Sequence, residues 1–267
     1  MQFPLSTLLL IEDLFSTIDL FGKLQETTPM PVKITILYDN RSDNCQLQEG
    51  WGFSALIEYD GCKILFDTGG DASAFASNAD KMGICFDEIT HLLFSHRHWD
   101  HIAGFKEIID KVNDKTALYV PKTFSWFLRK KSSSHLKKIR VVKALEEITP
   151  NIYSLVLKGG FWLYEQALVL KTPEGLGIIT GCAHPGIVRI LKTAVQHFHE
   201  KIYFVLGGFH LLYNPAESIV QAVKEFQKLG VKHVAPCHCS GDHTIRQFQE
   251  AYGPNFHKIG TGTILSF

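Results

Sequence analysis

Residues 95–104 of the chain read SHRHWDHIAG. Four side chains that commonly bind metal ions lie within six positions here: His96, His98, Asp100 and His101. Imidazole and carboxylate groups are ligands that suit zinc and similar divalent ions. The spacing assigns the first pair to one ion and the second pair to another. Two ions about 3.5–4 Å apart can share one hydroxide and act on one substrate.

Hydrophobic periodicity on both sides of this stretch predicts strands and helices. Apolar or alternating runs predict strands at residues 33–39, 54–60, 63–69, 90–96, 117–121, 151–157, 166–172, 176–181, 202–208 and 231–238. Runs with helical spacing predict helices at residues 72–83, 102–113, 122–139, 186–201, 215–230 and 242–253. Several of these helices end at a glycine, which is a common way for a helix to stop.

The order of these elements predicts an α/β fold made of one main domain. Strands cluster early and then alternate with helices in each half, and no low-complexity stretch divides the chain. We therefore expect two sheets packed face to face with helices outside, an αββα sandwich, over residues 31–267. Residues 1–30 are expected to form an N-terminal extension with helical tendency.

The composition favours a cytoplasmic enzyme over a binder of nucleic acid or membranes. Lys+Arg and Asp+Glu are both 27, so the formal net charge is zero, which argues against a general affinity for polyanions. The apolar run at residues 5–11 is too short to span a bilayer and lacks the basic residues of a signal peptide. Six cysteines show no CxxC pair, which fits a reducing cytosol. The expected partner is a small-molecule substrate, and the oligomeric state stays open.

The stretch 95–104 resembles the signature of the metallo-β-lactamase superfamily. Three further motifs follow the order that this family shows: LFDTGG at 65–70, GCAHPGI at 181–187 and APCHCSG at 235–241. The resemblance implies that Asp67 supports the metal loop from behind the ligands. It also implies that His184 is the third ligand of the first ion and that His238 is the late ligand of the second.

Two more motifs, GWGFSALIE at 50–58 and GGFHL at 207–211, narrow the resemblance to one branch of the superfamily. That branch contains a dihydropterin-ribofuranosylaminobenzene phosphate synthase and many proteins described as metal-dependent hydrolases. The resemblance implies a hydrolase in which a metal-bound hydroxide, oriented by Asp100, attacks a small metabolite that bears a phosphate or carboxylate. It implies two divalent ions, with zinc favoured over manganese or iron. Two alternatives stay open: a pterin-linked transferase and a di-iron redox protein of the same fold.

One departure from the family pattern concerns the aspartate that usually bridges the two ions. The interval from His184 to His238 contains no aspartate, and His210 occupies the position after the strand at 202–208. We therefore predict that His210 lines the site, as a metal ligand or as a donor to the substrate. With Asp100 as the only anionic ligand, the pocket should be strongly positive and the second ion should bind more weakly.

The cysteines near these motifs favour a packing role. Cys237 and Cys239 flank His238, and in a strand they would point away from it. Cys182 lies two residues before His184 and could approach the site. A small buried side chain is nevertheless the favoured interpretation of Cys182.

Overall fold

Two mixed sheets form the centre of the fold in this computed structural model, which describes residues 31–124 and 138–267. The strands in these ranges are β1 (Lys33–Tyr38), β2 (Ser54–Tyr59), β3 (Cys62–Phe66), β4 (His91–Leu93), β5 (Ala117–Pro121), β6 (Lys138–Val142), β7 (Leu145–Thr149), β8 (Ile152–Gly160), β9 (Leu163–Thr172), β10 (Gly175–Thr180), β11 (Ile202–Gly208), β12 (His233–Cys237) and β13 (Ile264–Ser266). The first sheet has the order β13-β1-β2-β3-β4-β5-β6, and the second has the order β12-β11-β10-β9-β8-β7.

The helices flank these sheets in two outer layers. Those in the described ranges are α1 (Ala72–Lys81), α2 (Trp99–Ile102), α3 (Phe105–Ile108), α4 (Ile187–Phe198), α5 (Ala216–Lys228) and α6 (Asp242–Tyr252). One apolar cluster joins residues of both sheets and forms the central core. A second cluster packs α4, α5 and α6 on the second sheet, and a third packs α1 and α3 on the first. The predicted αββα sandwich of the α/β class is therefore confirmed.

The β2–β3 hairpin shows how local sequence sets the fold. Its strands pair as antiparallel neighbours, and the turn residues Asp60 and Gly61 have positive φ angles of 49° and 73°. A two-residue turn of this kind matches the twist of the flanking strands. The strands predicted at residues 54–60 and 63–69 therefore pair with each other across this turn.

The predicted helix at residues 102–113 is wrong in its extent, because the range contains only α3 (Phe105–Ile108) and the last residue of α2 (Trp99–Ile102). The interruption falls at Ala103 and Gly104, whose N–H groups donate to Gly69 O at 3.1 Å and Thr68 O at 3.3 Å. Bonds to the loop after β3 thus replace bonds within a longer helix. The metal-binding stretch is thereby fixed against that loop.

Other differences lie at the sheet edges. Strand β6 covers the end of the helix predicted at 122–139, and residues 125–137 of that prediction lie outside the described residues. Strands β7 and β13 were not predicted. The predicted N-terminal extension, residues 1–30, also lies outside the described residues, while Pro31–Phe267 form one compact unit. A search of the described residues finds no helix long and apolar enough to cross a membrane.

Parallel pairing gathers the loops that carry the candidate site. Strands β3, β4 and β5 run parallel in the first sheet, and β10, β11 and β12 run parallel in the second. The carboxyl ends of parallel strands meet at one edge of a sheet, where ligands commonly bind. The motifs at residues 65–70, 95–104, 181–187 and 235–241 lie at such strand ends.

Candidate metal centre

Three histidine nitrogens converge in the first cluster. His96 Nε2 lies 3.0 Å from His98 Nδ1 and 3.2 Å from His184 Nε2. Two nitrogens bound to one tetrahedral zinc at about 2.0–2.1 Å would lie roughly 3.3 Å apart, so this spacing suits a shared cation. His96 is fully buried whereas His98 is exposed. The cluster can hold a metal ion and opens to solvent on one side.

A second cluster comprises Asp100, His101, Cys182 and His238, whose ligand atoms all lie within 4.8 Å of one another. His101 Nε2 lies 3.2 Å from Cys182 Sγ and 3.7 Å from Asp100 Oδ2. His238 Nε2 lies 3.4 Å from the same oxygen of Asp100. All four side chains are buried. The structure thus brings the predicted late histidine to the predicted second pair and adds a thiol.

One atom of the second cluster shows that a cation fits there. Asn40 Oδ1 accepts the Gly52 N–H at 3.1 Å and lies 3.0 Å from His238 Nδ1, so the proton of His238 sits on Nδ1. The Nε2 lone pair then faces Asp100, and this buried atom has no hydrogen-bond partner among the described residues. A buried polar atom without a partner is costly. A divalent ion would satisfy it, because neutral imidazole is a common metal ligand.

Asp67 lies between the two clusters and orients one histidine of each. Its Oδ2 lies 2.7 Å from His101 Nδ1 and accepts a hydrogen bond from Ser95 Oγ at 2.6 Å. Ser95 Oγ in turn lies 2.9 Å from His96 Nδ1. His101 Nδ1–H therefore donates to Asp67 and His96 Nδ1–H donates to Ser95 Oγ, so the Nε2 atoms of both rings face the clusters. This is the supporting position that the sequence assigns to Asp67.

The Asp67–Ser95 pair leaves room only for glycine at position 181. A Cβ atom on Gly181 would lie 2.2 Å from Ser95 Oγ and 3.0 Å from Asp67 Oδ2. The loop after β10 therefore packs directly on the loops after β3 and β4. This close contact sets the distance between the donors that the two sheets contribute.

Glu165 in β9 supports the loop that carries His184, and sequence reasoning missed it. Its carboxylate accepts the backbone N–H groups of Cys182, Ala183 and His184 at 2.8, 2.7 and 2.7 Å. Ala183 has a left-handed φ of 61°, a conformation that the three hydrogen bonds to Glu165 stabilise. Burial raises the pKa of Glu165 to about 7, although these N–H groups lower it. The available signal was an acid within the apolar strand LYEQALVL, residues 163–170.

Asp39 and Trp51 support the second cluster from the first sheet, and they also escaped sequence reasoning. Asp39 Oδ1 accepts the backbone N–H of His238 at 3.1 Å. Burial raises the pKa of Asp39 to about 7, with backbone N–H groups opposing the rise. Trp51 Nε1 donates to Asp100 Oδ2 at 2.9 Å, and its ring centroid lies 4.9 Å from that of His238. These residues are distant in sequence from the ligands they support, so only the fold brings them together.

Protonation differs between the clusters. Burial, followed by the neighbouring histidines, lowers the pKa of His184 to about 3 and lowers that of His96 well below its usual value. The first cluster is therefore neutral near pH 7, which is the form that binds cations. Burial also lowers the pKa of His101, but the Asp67 carboxylate raises it by a larger amount. The net effect is a pKa of about 9. Burial raises the pKa of Asp100, and nearby histidines outweigh this and keep that carboxyl ionised.

The structure places His210 beside the first cluster. Its ring centroid lies 4.2 Å from that of His184, and its φ of 54° is left-handed. Among the described residues, its ligand atom groups with those of Cys182 and His184. The side chain is exposed, so it faces the opening of the site. Whether it binds metal or substrate stays a prediction.

Exposed aromatic side chains lie next to the residues of both clusters. Gly159 lies against His184, since a Cβ atom there would be 2.7 Å from the His184 Cβ. Phe161 and Trp162, at the tip of the same β8–β9 hairpin, are 87% and 67% exposed. Trp99 adjoins Asp100, and Tyr213 follows His210 closely. We call this set the aromatic rim: Trp51, Trp99, Phe161, Trp162 and Tyr213.

Comparisons with known proteins agree with this geometry. The family model described as the Metallo-beta-lactamase superfamily matches residues 49–238. A Methanocaldococcus jannaschii protein named 7,8-dihydropterin-6-methyl-4-(beta-D-ribofuranosyl)-aminobenzene-5'-phosphate synthase is 29% identical over 265 residues, covering 82% of this chain and 90% of that protein. The crystal structure of a metal-dependent hydrolase of the beta-lactamase superfamily superposes with a TM-score of 0.73 at 29% identity, covering 88% of this chain and 99% of that chain. The metallo-beta-lactamase fold protein YhfI from Bacillus subtilis superposes with a TM-score of 0.65 at 13% identity, covering 89% of this chain and 100% of that chain, and so shares the fold.

Proposed function

Because the chain belongs to the metallo-beta-lactamase superfamily, we propose that it is a metal-dependent hydrolase of a small substrate bearing a phosphate or carboxylate. The observation that carries this proposal is the pair of adjoining ligand groups in one site. His96, His98 and His184 would hold the first ion. The second ion would be held by Asp100, His101 and His238. Zinc is the favoured metal for such donors, with manganese or iron as alternatives.

When bound, two divalent ions lower the pKa of water and stabilise the charge that develops on a substrate. The chain's own residues prepare the site for that chemistry. Asn40 and Asp67 accept from the Nδ1–H groups of His238 and His101, so Nε2 of each ring faces the second cluster. Because the pKa of His101 is raised to about 9, His101 would release its Nε2 proton when an ion binds. Trp51 donates to Asp100 Oδ2, the oxygen that faces His101 and His238, and so holds this carboxylate where it can bind the ion and orient a water molecule. No serine or cysteine nucleophile is required.

His210 is proposed to bind the anionic group of the substrate. Its exposed ring lies beside His184 at the opening of the site. A ring N–H there can donate to a phosphate or carboxylate oxygen. Since two dications and a single ligand carboxylate leave net positive charge, an anionic substrate is also favoured by the field of the site.

The aromatic rim supports a second candidate function. Exposed Trp and Phe side chains can stack on a flat ring, and Phe161 and Trp162 contact each other edge to face at 5.4 Å between ring centroids. A dihydropterin has such a ring, and the similar Methanocaldococcus jannaschii protein is named as a pterin-linked synthase. The alternative is therefore condensation of a dihydropterin pyrophosphate ester with an arylamine ribose phosphate.

One experiment tests both candidates. The full chain is loaded with zinc, manganese or iron, its metal content is measured, and it is given phosphodiester, thioester and lactone substrates. A parallel reaction supplies the dihydropterin pyrophosphate ester with and without the arylamine. We expect metal-dependent hydrolysis of one anionic substrate class. Pyrophosphate release that requires the arylamine would favour the synthase, and oxygen consumption by an iron-loaded chain would favour a redox protein.

Matched histidine variants connect the activity to the first cluster. His184→Ala should lower kcat/KM by at least about 100-fold, beyond the roughly 10–100-fold effect of removing a residue that only supports a ligand. His197→Ala changes an exposed histidine on the helix that follows the same loop, and it should retain full activity. Equal activity of the two variants would contradict the proposed site.

A further inference from the structure

Cys182 stands out among the cysteines because its sulfur points into the second cluster. Its Sγ lies 3.2 Å from His101 Nε2 and within 4.8 Å of the ligand atoms of Asp100 and His238. The side chain is only 3% exposed. Its backbone N–H is fixed by Glu165, so the direction of the thiol is set by the loop. The sequence favoured a packing role, but the neighbours of this sulfur are polar ligand atoms.

The other two cysteines near the site have different surroundings. Cys239 Sγ lies 3.5 Å from the carbonyl oxygen of Cys182, and its thiol also contacts the Cys182 thiol and the His210 side chain. Cys237 is buried at the end of β12, where it belongs to the central apolar core. Among the described residues, neither sulfur falls in a group that could hold a metal ion. Cys182 is therefore the one cysteine of these three whose sulfur lies among the candidate ligand atoms of the described residues.

A separate observation favours a cation in the second cluster. His238 Nε2 is buried, has no hydrogen-bond partner among the described residues, and faces Asp100. Asp100 is the single carboxylate in the group, so a divalent ion there would keep excess positive charge in a buried place. Zinc binds thiolate strongly, at about 2.3 Å. A thiolate would complete a four-ligand set and lower the net charge by one.

We propose that the Cys182 thiolate is the fourth protein ligand of the second ion, in the position where a second carboxylate would otherwise be needed. This inference rests on the two-ion site of the proposed function. On binding, the thiol releases its proton to solvent as the sulfur–metal bond forms, so one proton leaves for each sulfur bound. Cys182 and His184 lie on the same loop after β10, so this loop would contribute one ligand to each ion.

Cobalt(II) provides a readout of sulfur ligation that does not depend on activity. The full chain is loaded with two equivalents of cobalt(II), and its absorption spectrum is recorded. A thiolate ligand gives a sulfur-to-cobalt charge-transfer band in the near ultraviolet, which imidazole and carboxylate do not give. We expect this band in the native chain and in Cys239→Ser, and we expect its loss in Cys182→Ser. Cys239→Ser is the matched control because it removes a neighbouring buried thiol.

Two further measurements keep the test decisive if Cys182→Ser folds poorly. X-ray absorption at the zinc edge of the native, two-zinc chain should show sulfur at about 2.3 Å, and this signal should persist in Cys239→Ser. Affinity for the second zinc should fall in Cys182→Ser by more than the roughly 10–100-fold effect of losing a supporting residue, while the first zinc stays bound.

Each outcome bears on a different claim. Two bound ions without a sulfur signal would overturn the role of Cys182 and leave the proposed hydrolase site intact. A sulfur signal that disappears in Cys239→Ser but not in Cys182→Ser would also overturn it. A chain that binds no divalent ion would overturn both the inference and the proposed function.

Discussion

At the scale of single residues, Asp67 has an unusual position because it serves both clusters. It orients His101 directly and His96 through Ser95. A supporting carboxylate ordinarily fixes the ring and the proton of one metal-binding histidine. Here one buried carboxylate fixes two, and these two histidines belong to different clusters. We therefore expect any substitution of Asp67 to change the binding affinities of both ions together.

Asp67→Asn should weaken the binding of both ions. An amide presents N–H groups where Ser95 and His101 require an acceptor, so each affinity should fall by about 10–100-fold. Competition with a chelator of known affinity measures both constants. Asp71→Asn is the control, because Asp71 is an exposed N-cap of α1 and asparagine caps equally well. Weakening of one ion alone would contradict the shared role.

Trp51→Phe should lower the affinity for the second ion and leave the affinity for the first ion unchanged. The change keeps an aromatic ring near His238 but removes the N–H that donates to Asp100. We expect about a tenfold loss of affinity for the second ion, at the lower end of the range for a supporting residue. Trp99→Phe makes the same change at an aromatic side chain that is 62% exposed and should leave both affinities unchanged. Equal affinities in the two variants would show that the indole N–H has no role.

Sequence could identify residues whose partners are local and missed those whose partners are distant. His96, His98, Asp100 and His101 share one short stretch, so their spacing alone predicts a cluster. The Asn40–His238 contact joins positions 198 residues apart, and no local pattern encodes it. The direction of the Cys182 thiol likewise depends on how the loop after β10 packs, so no local pattern shows that its sulfur lies beside the second cluster.

At the scale of elements, β9 and the loop after β10 form one supporting unit. Glu165 projects from β9 and accepts three consecutive N–H groups of that loop. Successive N–H groups of this kind form a concavity that suits an anion. The carboxylate thereby holds His184 in place without contacting its ring.

Glu165→Gln should destabilise this unit. The amide retains one acceptor oxygen, so at least one buried N–H loses its partner, at a cost of about 1–3 kcal/mol in the free energy of unfolding. Urea unfolding of the metal-free chain measures this loss, and affinity for the first ion should fall as well. Glu147→Gln changes an exposed glutamate of β7 and should leave both quantities unchanged. A free energy of unfolding equal to that of the native chain would mean that the hydrogen bonds to Glu165 contribute little to stability.

Elements with strong local periodicity were predicted well. The β2–β3 hairpin and the long helices α4 and α5 follow directly from turn residues and apolar spacing. The helix predicted at 102–113 was wrong because Ala103 and Gly104 bond to the loop after β3. Tertiary contacts override local propensity at such places. The edge strands β7 and β13 are short or weakly apolar, so their pairing depends on neighbours that sequence patterns do not show.

At the scale of the whole described domain, the fold does not depend on the metal centre for its core. Three apolar clusters fill the space between the sheets and under both helix layers. Gln166 adds a polar tie between the sheets, since its Nε2 donates to Phe94 O at 2.8 Å and Tyr119 O at 2.9 Å. Removal of the ions should therefore leave the sandwich assembled.

Chelation of the metals should lower the thermal stability of the chain without unfolding it. Ions that bind only the folded state raise the unfolding temperature, so Tm should fall on chelation and recover when zinc is restored. Far-ultraviolet circular dichroism at room temperature should stay unchanged. The paired variant His96→Ala and His98→Ala should behave like the chelated chain. Global unfolding at room temperature in either case would show that the ions are structural.

Each cluster draws donors from both sheets, with two from the loop after β4 and the others from loops after β10 and β12. An ion in either cluster is thus a bridge across the sandwich, joined to both of its halves. A chain divided between β6 and β7 would separate these donors, leaving an incomplete chelate on each fragment. Reassembly of the fragments would restore both chelates at once, so metal concentration would act as a control on the association of the two halves.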